Sequence, residues 1–129
     1  MTRREARIAT MQILYSADFN GISISEARED VSSHVLTDDV KSFLDMVESN
    51  IEKIDNLISK SLENYSINRL NIVDRAIIRL ATAEFLDGKT DKKIVINEAL
   101  EITKQFSDQG DHKATGFNNR LLENIYKNL

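Results

Sequence analysis

No cysteine occurs in the chain, which excludes a disulfide framework and every thiolate metal site and fits a reducing compartment. Proline is absent as well, and the four glycines, at positions 21, 88, 110 and 116, each fall between segments of helical periodicity, where glycine punctuates. Long apolar runs are missing: nothing approaches the roughly 20 apolar residues needed to cross a bilayer. The first amphipathic segment is interrupted by Thr10, Gln12, Ser16 and Asp18, so no secretory leader is expected and the expected location is the cytoplasm. An excess of positive charge is lacking too. The formal net charge is −4, so any attraction to phosphate must come from a local patch.

What is present reads as helix. At 129 residues, with 41% hydrophobic and 29% charged residues, the composition is that of one globular domain able to bury a core. Only "KIVIN" could be a strand, and it runs into "EALEITKQF" with Val95, Ala99, Ile102 and Phe106 stepping by 4, 3 and 4, so it is read as the first turn of a helix. The fold class is all-α. A first helix is expected over 3–19, with one stripe of Ala6, Ala9, Ile13 and Ala17 and another of Ile8, Met11, Tyr15 and Phe19, which implies two packing neighbours. A short polar helix is expected after an N-cap at Ser25, and a third helix after Thr37, its start favoured by Asp38 and Asp39. Unbroken to residue 62, that third helix would run for about 39 Å at 1.5 Å per residue. After the polar interruption "SINRLNIV", further helices are expected over 74–86, 92–107 and 116–128. The lengths suggest two helical layers, an N-terminal and a C-terminal half sharing one core.

Catalytic chemistry is not indicated. The chain has no glycine-rich phosphate loop, no GxSxG elbow and no HExxH pair, so neither an enzyme nor a cofactor is expected. His34 and His112 lack ligand-spaced partners and are read as surface residues. "DQGDH" offers the oxygens of a calcium loop without the EF-hand spacing or its closing glutamate, and is read as a solvated turn with no metal. Glu84, Glu98 and Glu101 are expected to be solvated or paired with neighbours such as Lys104.

The opening "MTRREARIATMQILYS" is the exception to this ordinary pattern. Arg3 and Arg7 share a helix face with Arg4 about 100° away, and like charges at that spacing repel by a few tenths of a kcal/mol. They also sit where the helix dipole disfavours cations. Either the N-terminus is simply solvated, or the arginines face an external anion such as phosphate.

Four blocks, "RREARIATMQILYS", "DRAIIRLATAEFL", "KIVINEALEITKQF" and "GFNNRLLENI", resemble in order and spacing the signatures of the NusB family of transcription antitermination factors. The resemblance spans both ends and the C-terminal half as one NusB-like domain, 1–129, whereas residues 21–66 match only in helical character. It implies two packed three-helix bundles. It further implies binding of boxA-type single-stranded RNA in ribosomal RNA leader transcripts together with NusE, a small-subunit ribosomal protein, in a complex with NusA, NusG and RNA polymerase. Carried over by position, the RNA-binding residues are Arg3, Arg4, Arg7, Gln12, Tyr15, Phe106, Asp111, Phe117 and Asn119. Asn118 and Arg120 depart from the family pattern, which has an apolar and a small residue there. The resemblance allows a homodimer that hides the RNA surface, and it implies no membrane partner. The rival is a protein-interaction module of the kind attached to ribosomal RNA methyltransferases; with nothing following Leu129, the free-standing factor is expected. An Arg4→Glu, Arg7→Glu variant is expected to fold normally and to lose RNA binding.

Overall fold

The computed structural model describes residues 1–63 and 65–129. Helix α1 spans Arg3–Asn20, α2 Ile24–Glu29, α3 Asp38–Ser49, α4 Ile51–Ser61, α5 Ile72–Asp87, α6 Lys92–Phe106 and α7 Lys113–Lys127, with a 3₁₀ turn at Ile67–Arg69. No strand occurs among the described residues, and "KIVIN" is the start of α6.

Local chemistry sets the ends. Thr2 and Glu5 form a capping box at the start of α1, the threonine hydroxyl accepting from the Glu5 N–H and the carboxylate accepting from the Thr2 N–H at 2.8 Å. That acid offsets the arginines which the helix dipole would otherwise oppose. Gly21 at φ 63° and Gly88 at φ 73° close α1 and α5 in the left-handed region, where other residues strain by about 1–2 kcal/mol.

Several boundaries differ from the expected ones. Ser23, not Ser25, caps α2, accepting from the Glu26 N–H at 3.0 Å, while Ser25 lies inside the helix and donates to Glu48. The segment 38–62 is two helices, broken at Asn50 (φ −125°, ψ 18°), whose side-chain amide donates to the Met46 carbonyl at 3.0 Å. An asparagine that bonds local backbone competes with the helical ladder. Asn71 starts α5 earlier than expected by accepting from the Val73 N–H at 2.8 Å. Helix α7 begins at Lys113, so Gly116 lies within a helix and not between two.

Counting the broken α3–α4 as one rod, the chain forms two three-helix units, α1 with α2 and α3–α4, and α5 with α6 and α7. Helix α5 joins them, packing against α1, α3, α4, α6 and α7. Ala76, Ile77, Ile78 and every residue from Leu80 to Phe85 are buried, as a helix with neighbours on nearly all sides requires. Phe43, Leu44, Ile54, Ile58, Ile78, Leu122 and Ile125 fill the core. The two stripes of α1 fare differently. Ala6, Ile13 and Ala17 are buried, whereas the second stripe ends in Phe19, which is 65% exposed.

The candidate RNA interface

The ends of α5 fix the direction of its neighbours. Arg7 of α1 meets Glu84 late in α5, and Asp18 meets Arg75 early in α5, so α1 and α5 are antiparallel. Asn118 of α7 bridges Asp74, early in α5, and Thr103, late in α6, so α6 also opposes α5. Helices α1 and α6 therefore run parallel. The pair Arg4–Glu98, at 2.7 Å, sets their register.

The three opening arginines do not share one destination. Arg7 is a buried residue, 4% exposed; its Nε and Nη2 each donate to Glu84 at 2.9 Å, and its Nη1 lies 3.9 Å from Glu98. Burial opposes the charge of its guanidinium, but the hydrogen bonds and charge of Glu84, then the charge of Glu98, outweigh it, and its pKa stands above the usual arginine value. This corrects the expectation of a free arginine at position 7. It also corrects the expected behaviour of Arg7→Glu, which would press a second carboxylate against Glu84 in a closed site. Arg3 turns the other way, toward Asp39 at 3.1 Å on α3, with its guanidinium 4.6 Å from the ring centre of Phe43. Arg4 alone points along the α1–α6 seam, half-exposed, its pKa raised first by the hydrogen bond to Glu98. Glu84 and Glu98, expected to be solvated or paired with neighbours such as Lys104, instead hold Arg7 and Arg4, from which they lie far away along the chain.

From the Arg4–Glu98 pair, eight residues along each helix, about 12 Å, lead to Gln12 on α1 and Phe106 on α6. Gln12 is exposed and Phe106 is 37% exposed at the last turn of α6. Tyr15 follows on the same side of α1, half-buried, its ring stacked on Phe19 at 5.9 Å and 13°. The structure thus brings Arg4, Gln12, Tyr15 and Phe106 to one seam. Phe117, in the first turns of α7, is partly buried and lies 5.7 Å from the Tyr65 ring. Asn119 is exposed beside it, whereas Asn118 is fully buried.

The loop joining α6 to α7 is more organised than a solvated turn. Asp108 accepts from the N–H groups of Gly110 at 2.8 Å and His112 at 3.1 Å, and from the Thr115 hydroxyl at 2.6 Å. The Thr115 hydroxyl leads in holding the Asp108 carboxyl down to about 2. Asp111 is exposed and accepts from the Lys113 N–H at 3.1 Å. His34 and His112 are both exposed, and Glu101 pairs with Lys104 at 3.3 Å. Among the described residues no cluster of three or more acidic, histidine or cysteine side chains could hold a metal ion, and no helix is long and apolar enough to cross a membrane.

Chemically, the seam offers half-exposed rings, a guanidinium with spare N–H donors and the exposed Gln12 amide, and α7 adds the exposed amide of Asn119. That mixture suits single-stranded RNA, whose unstacked bases lie on rings while their edges and phosphates take hydrogen bonds.

Comparison with known proteins extends the likeness over the whole chain. The profile of the NusB family matches residues 4–127. Transcription antitermination protein NusB of Bacillus subtilis (strain 168) is 36% identical over 131 residues, covering 100% of this chain and 98% of that protein. The protein of the same name from Sulfurimonas denitrificans is 36% identical over 131 residues, covering 98% and 97%. Among solved structures, T. maritima NusB matches with a TM-score of 0.86 at 31% identity, over 98% of this chain and 92% of that one. Antitermination factors NusB and NusE in complex with dsRNA match with a TM-score of 0.80 at 29% identity, over 98% and 97%. With sequence and fold agreeing from one end to the other, the chain belongs to the NusB family.

Proposed function

We propose that this chain is a transcription antitermination factor that binds boxA-type RNA of ribosomal RNA leader transcripts together with NusE. Through that complex it joins NusA, NusG and RNA polymerase in the cytoplasm and keeps transcription processive, as an RNA-binding regulator and not an enzyme. The observation that carries this reading is the full-length likeness to NusB solved together with NusE and RNA. The α1–α6 seam supports it. Arg4, with Arg3 at the edge, holds phosphate; Phe106, Phe117 and Tyr15 receive bases; Gln12 and Asn119 exchange hydrogen bonds with base edges; Asp111 accepts from an exocyclic amine. Arg7 acts from within, tying α1 to α5 through Glu84 and so presenting Arg4 and Gln12.

With a net charge of −4 and its opening arginines engaged by acids, the chain binds RNA weakly alone. NusE adds a second modest site whose effective concentration raises the joint affinity. The test is a fluorescence titration of labelled boxA RNA with and without NusE, repeated at rising salt. Binding should strengthen with NusE and weaken as salt rises. A parent protein that ignores boxA RNA even with saturating NusE would refute the reading.

A further inference from the structure

The chain has eight arginines, and six of them lie within ion-pair distance of a carboxylate. The other two, Arg69 and Arg120, have no carboxylate partner among the described residues. In a protein with 21 acidic and 17 basic side chains, two unpaired guanidinium groups stand out. Both border the same pair of rings. The Arg69 guanidinium lies 5.9 Å from the centre of the Tyr65 ring, which is itself 5.7 Å from Phe117 and tilted by 54°. Arg120 shares with Phe117, Leu62 and Leu121 a hollow of about 210 Å³. Its Nη1 comes within 3.5 Å of where a Cβ on Gly116 would stand, so the side chain runs back along α7 toward Phe117.

Tyr65 is 42% exposed, and its hydroxyl donates to the Arg69 carbonyl at 3.1 Å, which ties the ring to the arginine's backbone. Arg69 and Arg120 are themselves exposed. An exposed ring backed by a partly buried one, beside unpaired guanidinium groups, is the kind of surface from which single-stranded RNA sites are made: bases stack on rings, and phosphates meet the cations. An acidic protein partner would satisfy the arginines but would leave the exposed Tyr65 ring without a role. Phe117 is the fifth residue of α7, and the loop of residues 107–112 joins that helix to α6, which ends at Phe106.

We propose that Tyr65, Arg69 and Arg120, with Phe117 between them and the α1–α6 seam, form a second station for single-stranded RNA that holds a nucleotide flanking the boxA contact. This inference depends on the RNA-binding reading above. One base lies against the Tyr65 ring, and the two guanidinium groups take the phosphates beside it. Glu63 also lines the hollow, and its carboxylate repels phosphates toward the two arginines.

The experiment compares a boxA oligoribonucleotide with the same sequence extended by several nucleotides at either end, both with saturating NusE. The parent should bind the extended RNA more tightly. Tyr65→Ala should weaken the extended RNA about tenfold, the loss of one stacked base, and leave the short RNA and the affinity for NusE unchanged. Tyr65→Phe, which keeps the ring, should retain most of the parent's affinity. Arg69→Gln with Arg120→Gln should reduce the slope of log affinity against log salt by about 1.4 on the extended RNA alone, at roughly 0.7 for each lost phosphate contact. Equal binding of both lengths by the parent, or parental affinity of Tyr65→Ala for the extended RNA, would overturn the second station and leave the seam standing. Loss of NusE binding with RNA binding retained would also overturn it, assigning the patch to protein. A parent that binds neither RNA would overturn the station and the functional reading together.

Discussion

Replacing Arg7 by methionine should lower stability without directly touching an RNA contact. In the folded protein the guanidinium makes two hydrogen bonds of 2.9 Å to Glu84, and the two side chains are 5% and 4% exposed. Methionine keeps an apolar stem but gives up the guanidinium, whose carbon lies 5.3 Å from the ring centre of Phe43. What remains is the Glu84 carboxylate, desolvated and without its partner. Removing one member of a buried pair costs about 3–5 kcal/mol, whereas replacing both by apolar residues of similar size is close to neutral. For a 129-residue chain, an unfolding entropy near 2.1 cal/mol/K per residue makes a loss of about 4 kcal/mol a fall in Tm of roughly 15 °C. Arg7→Met combined with Glu84→Leu should recover most of that fall, a coupling of about 3 kcal/mol. Thermal and urea unfolding followed by circular dichroism measure these quantities, and RNA titration well below the lowered Tm gives the second readout. If Arg7→Met melts with the parent while its RNA affinity collapses, the guanidinium serves the ligand and the assignment of Arg7 to the interior is wrong.

Other consequences are more local. Arg4→Glu and Phe106→Ala each alter an exposed side chain and should leave Tm within a few degrees of the parent, while weakening boxA binding about tenfold or more in the presence of NusE; a parental affinity for both would remove the seam from the interface. Asn118 donates to Asp74 and Thr103, both at 3.1 Å, but its buried carbonyl oxygen has no partner. Asn118→Val should therefore change stability by no more than about 1 kcal/mol, whereas Asn118→Asp, which sets an anion beside Asp74, should cost about 3 kcal/mol or more; equal melting of the two variants would contradict this. The Asp108 carboxyl, at about 2 in the fold against 3.8 for the free group, stabilises the α6–α7 loop fully above 3.8, and that contribution is lost as pH falls through about 2. Titration of the Asp108 carboxyl and of the Gly110 and His112 amides by NMR should show one shared transition there, which Thr115→Val moves upward.

The sequence was most legible where periodicity and capping act locally. The helical reading of "KIVIN" holds because Val95, Ala99 and Ile102 line one buried face of α6. Thr37 caps α3 as its position suggests, accepting from the Val40 N–H. Boundaries failed where two local solutions compete: Ser23 and Ser25 can both cap, and Asn50 can continue a helix or bond the Met46 carbonyl. The candidate site was less legible. Arg3, Arg4 and Arg7 look alike within "RREAR", yet their partners Asp39, Glu98 and Glu84 come from three different helices. Tyr65 and Arg69 lie beside and inside the polar interruption "SINRLNIV", and a ring in a loop has no period to betray it.

By itself, the sequence determined an all-helical chain, the approximate extent of most of its helices, and, through four ordered motif blocks, its family. Those properties follow from near neighbours: side chains three and four residues apart share a face, and a cap reaches only its own first turn. Which charges are free was decided by the tertiary structure alone. Antiparallel packing of α1 and α6 on α5 closes Glu84 over Arg7, leaves Arg4 at the seam beside Glu98, and gathers Phe106 and Gln12 at one level. A guanidinium can meet a phosphate only through N–H donors that no carboxylate has taken, and the acids that take them arrive from as far as 94 residues along the chain.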